Sequence, residues 1–351
     1  MTAGAYDTEP HPGCQLTTPI LIDTDPGIDD ALAILLALGS PEVSVEAITT
    51  VAGNVEVELA TANVFRVLDV ARPWDVARPS DVARPGRRPR VARGAAAPLA
   101  GPLITAAHVH GDDGLGNVGR CLEPDGRPRY PERSHTLEML DGADLILETA
   151  DRFAGRLVVV ALGPLTNVAL ALQRDPARLA QAARIVVMGG AVAVAGNVTP
   201  AAEFNIHADP EAAAALLASG LPIELVPLDV TRRVVLTRAE LAASLARHGG
   251  ATARFIGDFT AHGFDFETRR GDGAMALHDP LAVGVVVYPG LVTLEPLHVA
   301  VECQGSLTRG MTVADRRPHR DRPAPTCRAA LDVDAPRFLR LFLERVCRAS
   351  A

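Results

Sequence analysis

The chain has 351 residues, 48% of them hydrophobic and 22% charged, with a formal net charge of −8. That much apolar material supports a large core and excludes global disorder, and the acidic balance speaks against a nucleic-acid binder that works by neutralising phosphates. All 34 residues counted as Lys+Arg are arginine, so whatever its cause (codon bias is the bland one), a Schiff-base lysine, a pyridoxal-phosphate anchor and a Walker A lysine are excluded.

At about 150 residues per domain, the length suits two domains or one large α/β domain. Residues 1–19 read as a flexible N-terminal extension. They carry Glu9-Pro10-His11-Pro12-Gly13 and no basic-then-apolar pattern, so no signal peptide is expected. No apolar stretch reaches the length of about 18 residues that a membrane helix needs. Cys14, Cys121, Cys303, Cys327 and Cys347 are scattered without CxxC spacing, which predicts free thiols in a reducing cytoplasm.

The ordered core starts near residue 20. Ile20-Leu21-Ile22 predicts a buried strand, and a helix follows over Asp29–Leu38, stopped by Gly39-Ser40-Pro41. Val43–Val51 predicts a strand and Glu56–Leu68 a helix, with a further strand near Arg90–Arg93. Between helix and strand, Asp69–Gly86 holds three near-copies of DVARP plus one residue. Proline in every copy blocks helix and central strand, so 69–89 predicts a functionally inert surface loop holding Trp74. Beyond it, helices are expected at His135–Phe153, Leu165–Gln173 and Pro210–Ser219. Buried strands are expected at Leu157–Leu162, Arg184–Met188 and Ile223–Leu228. The tail has strand-like runs at Thr293–Cys303 and Met311–Ala314 and a closing helix at Arg337–Cys347. Apolar strands alternating with helices predict one α/β domain over 20–351, a mostly parallel open sheet covered on both faces, with ligands at the strand carboxyl ends.

The strongest local signal is Asp23-Thr24-Asp25-Pro26-Gly27-Ile28-Asp29-Asp30, which packs four carboxylates into a strand end and a helix start. Asp29 and Asp30 have a plain alternative as acids complementing the helix dipole. Asp23 and Asp25 do not. Like charges about 4 Å apart repel by roughly 4 kcal/mol at an effective dielectric of about 20, so such a cluster binds protons or a cation. An all-oxygen donor set suits Ca²⁺ or Mg²⁺ and not zinc. Asn54 follows the second strand, Leu162-Gly163-Pro164 follows the LVVVAL run, and Gly196-Asn197 leads into Ala202-Glu203-Phe204-Asn205-Ile206-His207-Ala208-Asp209. His278-Asp279-Pro280 stands before an apolar helix. Alone, Asn205 and Asp209 could be helix caps and His278 a satisfied core histidine; together they sit where one pocket would form.

These motifs, DTDPGIDDA, VAGN, ALGPLTN, MGG, GNVTPAAEFNIHADPEAA and HDP in that order, resemble the inosine–uridine-preferring nucleoside hydrolases over nearly the whole chain. The resemblance implies a Rossmann-like nucleoside hydrolase fold and cleavage of ribonucleosides to ribose and free base with bound Ca²⁺. It implies calcium held by Asp25, Asp30, Asp279 and the Leu162 carbonyl, with Asp23 as a supporting acid behind them. Asp29 and Asn54 would bind the ribose hydroxyls, and Asn197, Glu203 and Asn205 the 3′ and 5′ side of the sugar. It further implies a homodimer or homotetramer acting on a small nucleoside; the cysteines, the net charge and the apolar pattern add the expectation of a cytoplasmic protein without nucleic-acid or membrane partners.

C1′–N cleavage develops an oxocarbenium-like cation that carboxylates stabilise. Asp25 is expected to take the proton of a calcium-bound water, and His278 to assist the leaving base as general acid, its ordinary pKa lying near neutrality. His110 resembles a second family histidine that contacts the base. The segment before HDP often carries tyrosines in the family; here His262 and Phe266 are the expected substitutes. Two rival readings fit the residues less well. A phosphohydrolase using DxD usually wants Gly-Thr after the second aspartate and a downstream lysine, both missing here. A nucleoside or ribose binder without turnover is disfavoured by the intact Asp25 and His278.

Overall fold

The computed structural model describes residues 17–71, 88–318 and 322–348. Most of the N-terminal extension and of the repeat segment, with Trp74 and Cys14, lies outside those residues. The first stretch runs β1 (Thr18–Thr24), α1 (Ile28–Leu38), β2 (Val43–Thr50), α2 (Val57–Ala71) and β3 (Arg90–Arg93). The middle runs α3 (Ala107–His110), α4 (Gly142–Arg152), β4 (Val158–Ala161), α5 (Thr166–Arg174), α6 (Pro176–Leu179), β5 (Arg184–Met188), α7 (Phe204–Ala208), α8 (Pro210–Leu217) and β6 (Ile223–Val226). The last stretch runs α9 (Leu228–Thr231), β7 (Val235–Thr237), α10 (Arg238–His248), α11 (Gly250–Arg270), β8 (Ala274–Ala276), α12 (His278–Val287), β9 (Val292–Leu297), β10 (Val299–Val301), β11 (Thr312–Ala314), β12 (Cys327–Val333) and α13 (Ala335–Arg345).

Among the described residues, the main sheet has 8 strands in the order β3-β2-β1-β4-β5-β6-β12-β9. Every neighbouring pair is parallel except β12 with β9. Alternate strand residues feed two separate cores. Ile20, Ile22, Ile48, Val158 and Val160 join α1, α2 and α12 on one face. Leu21, Ala47, Val159, Ala161 and Val187 join α4, α5 and α8 on the other. Burial on both faces explains why these strands read as unbroken apolar runs. Each buried Leu, Ile or Val contributes about 1.5–3 kcal/mol, so the sheet is the rigid base on which the strand ends are mounted.

Three expectations need correction. The helix expected at His135–Phe153 is only Gly142–Arg152, because Asp141 caps it by accepting the Asp144 N–H at 3.0 Å. Upstream, the Glu138 N–H donates to the Val91 carbonyl at 2.9 Å, which ties that segment to β3 instead. The run Thr293–Cys303 is two strands: β9 pairs with β12, whereas β10 pairs with β11 in a separate ribbon. His278-Asp279-Pro280 does not precede its helix but forms the first turn of α12. Strand β12, between β6 and β9, was not anticipated.

Candidate active site

Strand order reverses between β1 and β4, and the connections leaving their carboxyl ends go opposite ways, which opens a crevice there. The aspartate-rich turn leaves β1 at this point. The Leu162 N–H still donates to the Asp23 carbonyl (2.7 Å), and the Val51 N–H to the Thr24 carbonyl (3.0 Å), so the turn starts from a fixed backbone.

Each acid is held from a different direction. Asp23 Oδ1 accepts the Thr49 hydroxyl at 2.6 Å and the Asn167 amide at 2.7 Å. Burial pushes its pKa up to about 7. Asp25 Oδ2 accepts the Asn54 N–H at 2.6 Å, while its Oδ1 is buried without a hydrogen-bond partner among the described residues. A side chain at Gly53 or Gly163 would come within 2.0 or 2.5 Å of the Asp25 carboxylate oxygens, so only glycine fits beside it. Asp30 accepts the Thr24 hydroxyl at 2.5 Å, the Gly27 N–H at 2.9 Å and the Asn54 side-chain amide at 3.2 Å. Asp279 arrives from the first turn of α12 and is 3% exposed.

Asp29, Asp30 and Asp279 each bring one carboxylate oxygen to within 4.8 Å of the others. The expected metal set named Asp25 where this group has Asp29. Asp25 is nevertheless close enough for its charge to act on Asp279, and that of Asp30 on Asp25. Burial first, and the neighbouring acids second, raise Asp25 and Asp279 well above the usual carboxylate range. Burial raises Asp30 as well. So many buried acids cannot all ionise without a counter-charge. The donor set is oxygen only, and the unpartnered Asp25 Oδ1 is the atom a cation would satisfy. These residues therefore fit a hard divalent cation.

A cavity of ≈ 540 Å³ opens from the acids and is lined by Asp29, Asn54, Leu162, Asn197, Glu203, Asn205, Asp279, His110, His278 and Phe266. Ten expected site residues thus share one wall, while Asp25 and Asp30 lie buried behind it. The Leu162 carbonyl accepts the Asn205 amide at 2.6 Å. Glu203 caps α7, taking the Asn205 and Gly190 N–H groups at 2.9 Å and the Ile206 N–H at 3.2 Å. Asn197 Oδ1 accepts the Phe204 N–H at 2.9 Å, which turns its loop toward the cavity.

Histidines and aromatics line the far side. His110 Nδ1 accepts the Ile28 N–H at 3.0 Å, so its proton resides on Nε2. Burial first, and the nearby histidines second, lower its pKa to about 3. His278 Nδ1 lies 2.8 Å from the Thr231 hydroxyl. Burial, then the Arg232 charge, lower its pKa to about 4. Both rings are therefore neutral near pH 7. For His278, the expected general acid, burial and the Arg232 charge both work against a stored proton. Phe266 meets the His108 ring edge to face at 6.1 Å, and the Arg270 guanidinium sits 5.5 Å from the Phe266 ring centre.

His262 is the expected residue that does not reach the wall. Its Cβ lies beside Gly116, and its Nε2 is buried without a partner among the described residues. Sequence reasoning missed His108, Arg232, Val235 and Arg270 as lining residues. The i, i+4 spacing of Phe266 and Arg270 on α11 was the available signal for one of them.

The inosine-uridine preferring nucleoside hydrolase family model matches residues 20–340. The pyrimidine-specific ribonucleoside hydrolase RihA of Salmonella typhi is 37% identical over 333 residues, covering 94% of this chain and 99% of that protein. RihA of Escherichia coli O9:H4 is similar to the same extent, 37% over 333 residues. Among solved structures, the purine-preferring ribonucleoside hydrolase from Gardnerella vaginalis superposes with a TM-score of 0.82 at 33% identity, covering 95% of this chain and 99% of that one. The plant nucleoside hydrolase PpNRh1 gives 0.82 at 33% identity, covering 94% and 99%. Fold, site position and these likenesses agree: the chain belongs to the inosine-uridine preferring nucleoside hydrolase family and is a hydrolase of the N-glycosidic bond of ribonucleosides.

Proposed function

We propose that residues 20–351 form one catalytic unit that binds a ribonucleoside with its ribose against the acids and its base toward His110, His278 and Phe266. The carrying observation is the meeting of Asp29 and Asp30, from the start of the chain, with Asp279, from near its end, where Asp29 and Asp279 line one cavity.

Asp25, Asp30, Asp279 and the Leu162 carbonyl would hold Ca²⁺, with Asp29 at the edge of the group. When bound, the ion supplies a positive charge that balances the buried acids, orients a vicinal diol and makes nearby water more acidic. Asp29 and Asn54 bind the 2′ and 3′ hydroxyls; Asn197, Glu203 and Asn205 bind the remaining sugar oxygens. Asp25, a carboxylate that the bound ion would keep ionised, takes the proton of the attacking water. The surrounding carboxylates stabilise the positive charge that grows at C1′ as the base leaves. His278 is a neutral ring here and assists by donating a hydrogen bond from Nε2–H to the departing base. His110 donates in the same way from its Nε2–H. Phe266 offers a ring face for the base.

The relatives named for a base are named for different ones, pyrimidine and purine, so likeness leaves this chain's own preference to its wall residues. Working as a homodimer or homotetramer in the cytoplasm is part of the same proposal. The test is release of free base from inosine, uridine, cytidine and adenosine, with calcium added and with calcium chelated. Turnover of at least one, lost on chelation, is expected. A binder without turnover would show saturable nucleoside binding and no base release.

A further inference from the structure

Helix α9 and the residue after it, Arg232, stand between two parts of the cavity wall that come from distant sequence. On one side, Asp229 accepts the Val192 and Ala193 N–H groups, both at 2.8 Å. Arg232 donates to the Ala195 and Gly196 carbonyls at 2.8 and 2.6 Å. The Leu228 N–H donates to the Gly190 carbonyl at 2.9 Å. These bonds follow the chain from 190 to 196, up to Asn197. Ala193, Val194 and Ala195 are exposed, so burial does little to order this loop. Hydrogen bonds to a carboxylate and a guanidinium are of the stronger, charge-assisted kind and take over that task.

On the other side, Thr231 is fully buried, and its hydroxyl is 2.8 Å from His278 Nδ1. The Val234 carbonyl accepts the Leu277 N–H at 2.9 Å, which fixes the backbone just before His278. A hydroxyl that donates to Nδ1 leaves the single proton of a neutral imidazole on Nε2. The same short helix therefore holds the ring of one wall residue and the loop that leads to another.

We propose that α9 with Arg232 is a positioning bracket for this active site: Thr231 holds the His278 ring as the Nε2–H donor, while Asp229 and Arg232 hold the 190–196 loop so that Asn197 meets the sugar. None of the three needs to touch the reacting atoms. The proposal rests on the roles given above to His278 and Asn197, and its test has one readout that is independent of turnover.

That readout is the nitrogen NMR spectrum of the histidine rings. In the intact protein, His278 should show a bare Nδ1 and a protonated Nε2; Thr231→Val, which keeps the shape and removes the hydroxyl, should mix the two tautomers. In kinetics, Thr231→Val should lower kcat roughly tenfold with KM little changed, and Thr231→Ser should restore it. With His278→Ala already present, Thr231→Val should cost nothing more. Arg232→Gln should raise KM roughly fivefold, and this effect should vanish in an Asn197→Ala background. A protonated Nδ1 in the intact protein, or a Thr231→Val variant with unchanged spectrum and kcat, overturns the His278 arm. An Arg232→Gln effect of equal size with and without Asn197 overturns the loop arm. Should the spectra behave as expected while the intact protein releases no base, the bracket stands and the catalytic reading falls.

Discussion

The two ends of the cavity are built on different principles. At the end proposed for the sugar, buried acids are fixed by backbone N–H groups, threonine hydroxyls and asparagine amides, and glycine is enforced beside Asp25. At the base end, the wall is made of rings and long side chains from α3 and α11: His108, Phe266 and Arg270. The first arrangement tolerates little change, because Asp23, Asp25 and Asp30 are buried and each is held through specific hydrogen bonds. The second is a packed surface that can be re-lined without disturbing the sheet. On the proposed reading, this fold fixes how ribose is gripped and leaves the choice of base to its rim. That reading also fits the differing base names of the relatives.

Substitutions at the two ends should differ in size and in how far they depend on the base. Asp25→Ala should be the most damaging, lowering kcat by about 10²–10⁴-fold for every nucleoside, as expected for loss of a positioned base. Activity near that of the intact protein would remove Asp25 from the mechanism. His278→Ala should be substrate-dependent. A loss of roughly 10²-fold is expected on natural nucleosides, and much less on p-nitrophenyl riboside, whose leaving group needs no assistance. Equal losses on both would reject its leaving-group role. Phe266→Ala should cost only roughly 5–10-fold in kcat/KM, within the range of one lost ring contact of about 0.5–1.5 kcal/mol, and change the ranking of bases. His262→Ala should act on thermal stability and leave the base ranking alone, since the residue sits behind the wall. A changed ranking would show that it contributes to recognition.

Much of the sugar end was legible because local sequence builds it. DTDPGIDD contains a strand end, a tight turn and the acids of a helix start, and β5 falls on the predicted Arg184–Met188. What joins Asp279 to that turn is tertiary, and only the resemblance pointed to it. The base end was less legible. Phe266 and Arg270 are aimed by the packing of the 21-residue α11, and nothing local separates them from His262, which α11 turns inward. Strand β12 was missed because CRAALDV is alanine-rich and lacks the β-branched run that marks its neighbours. The overlong helix at 135–153 was a missed cap at Asp141.

The central claim is that a divalent cation is held by acids that burial would otherwise keep protonated. Its most direct test is thermal stability against pH, with calcium and with chelator. Carboxyl pKa values raised in the folded state, such as Asp23 from 3.8 to about 7, mean that the metal-free fold binds more protons than the unfolded chain. Stability is then fully present below the unfolded value and is lost as pH rises through the folded one. The chelated protein should therefore lose melting temperature between pH 4 and pH 7, and calcium should restore it most at the upper end, where the acids must ionise. Superimposable curves with and without calcium across that range would contradict the account.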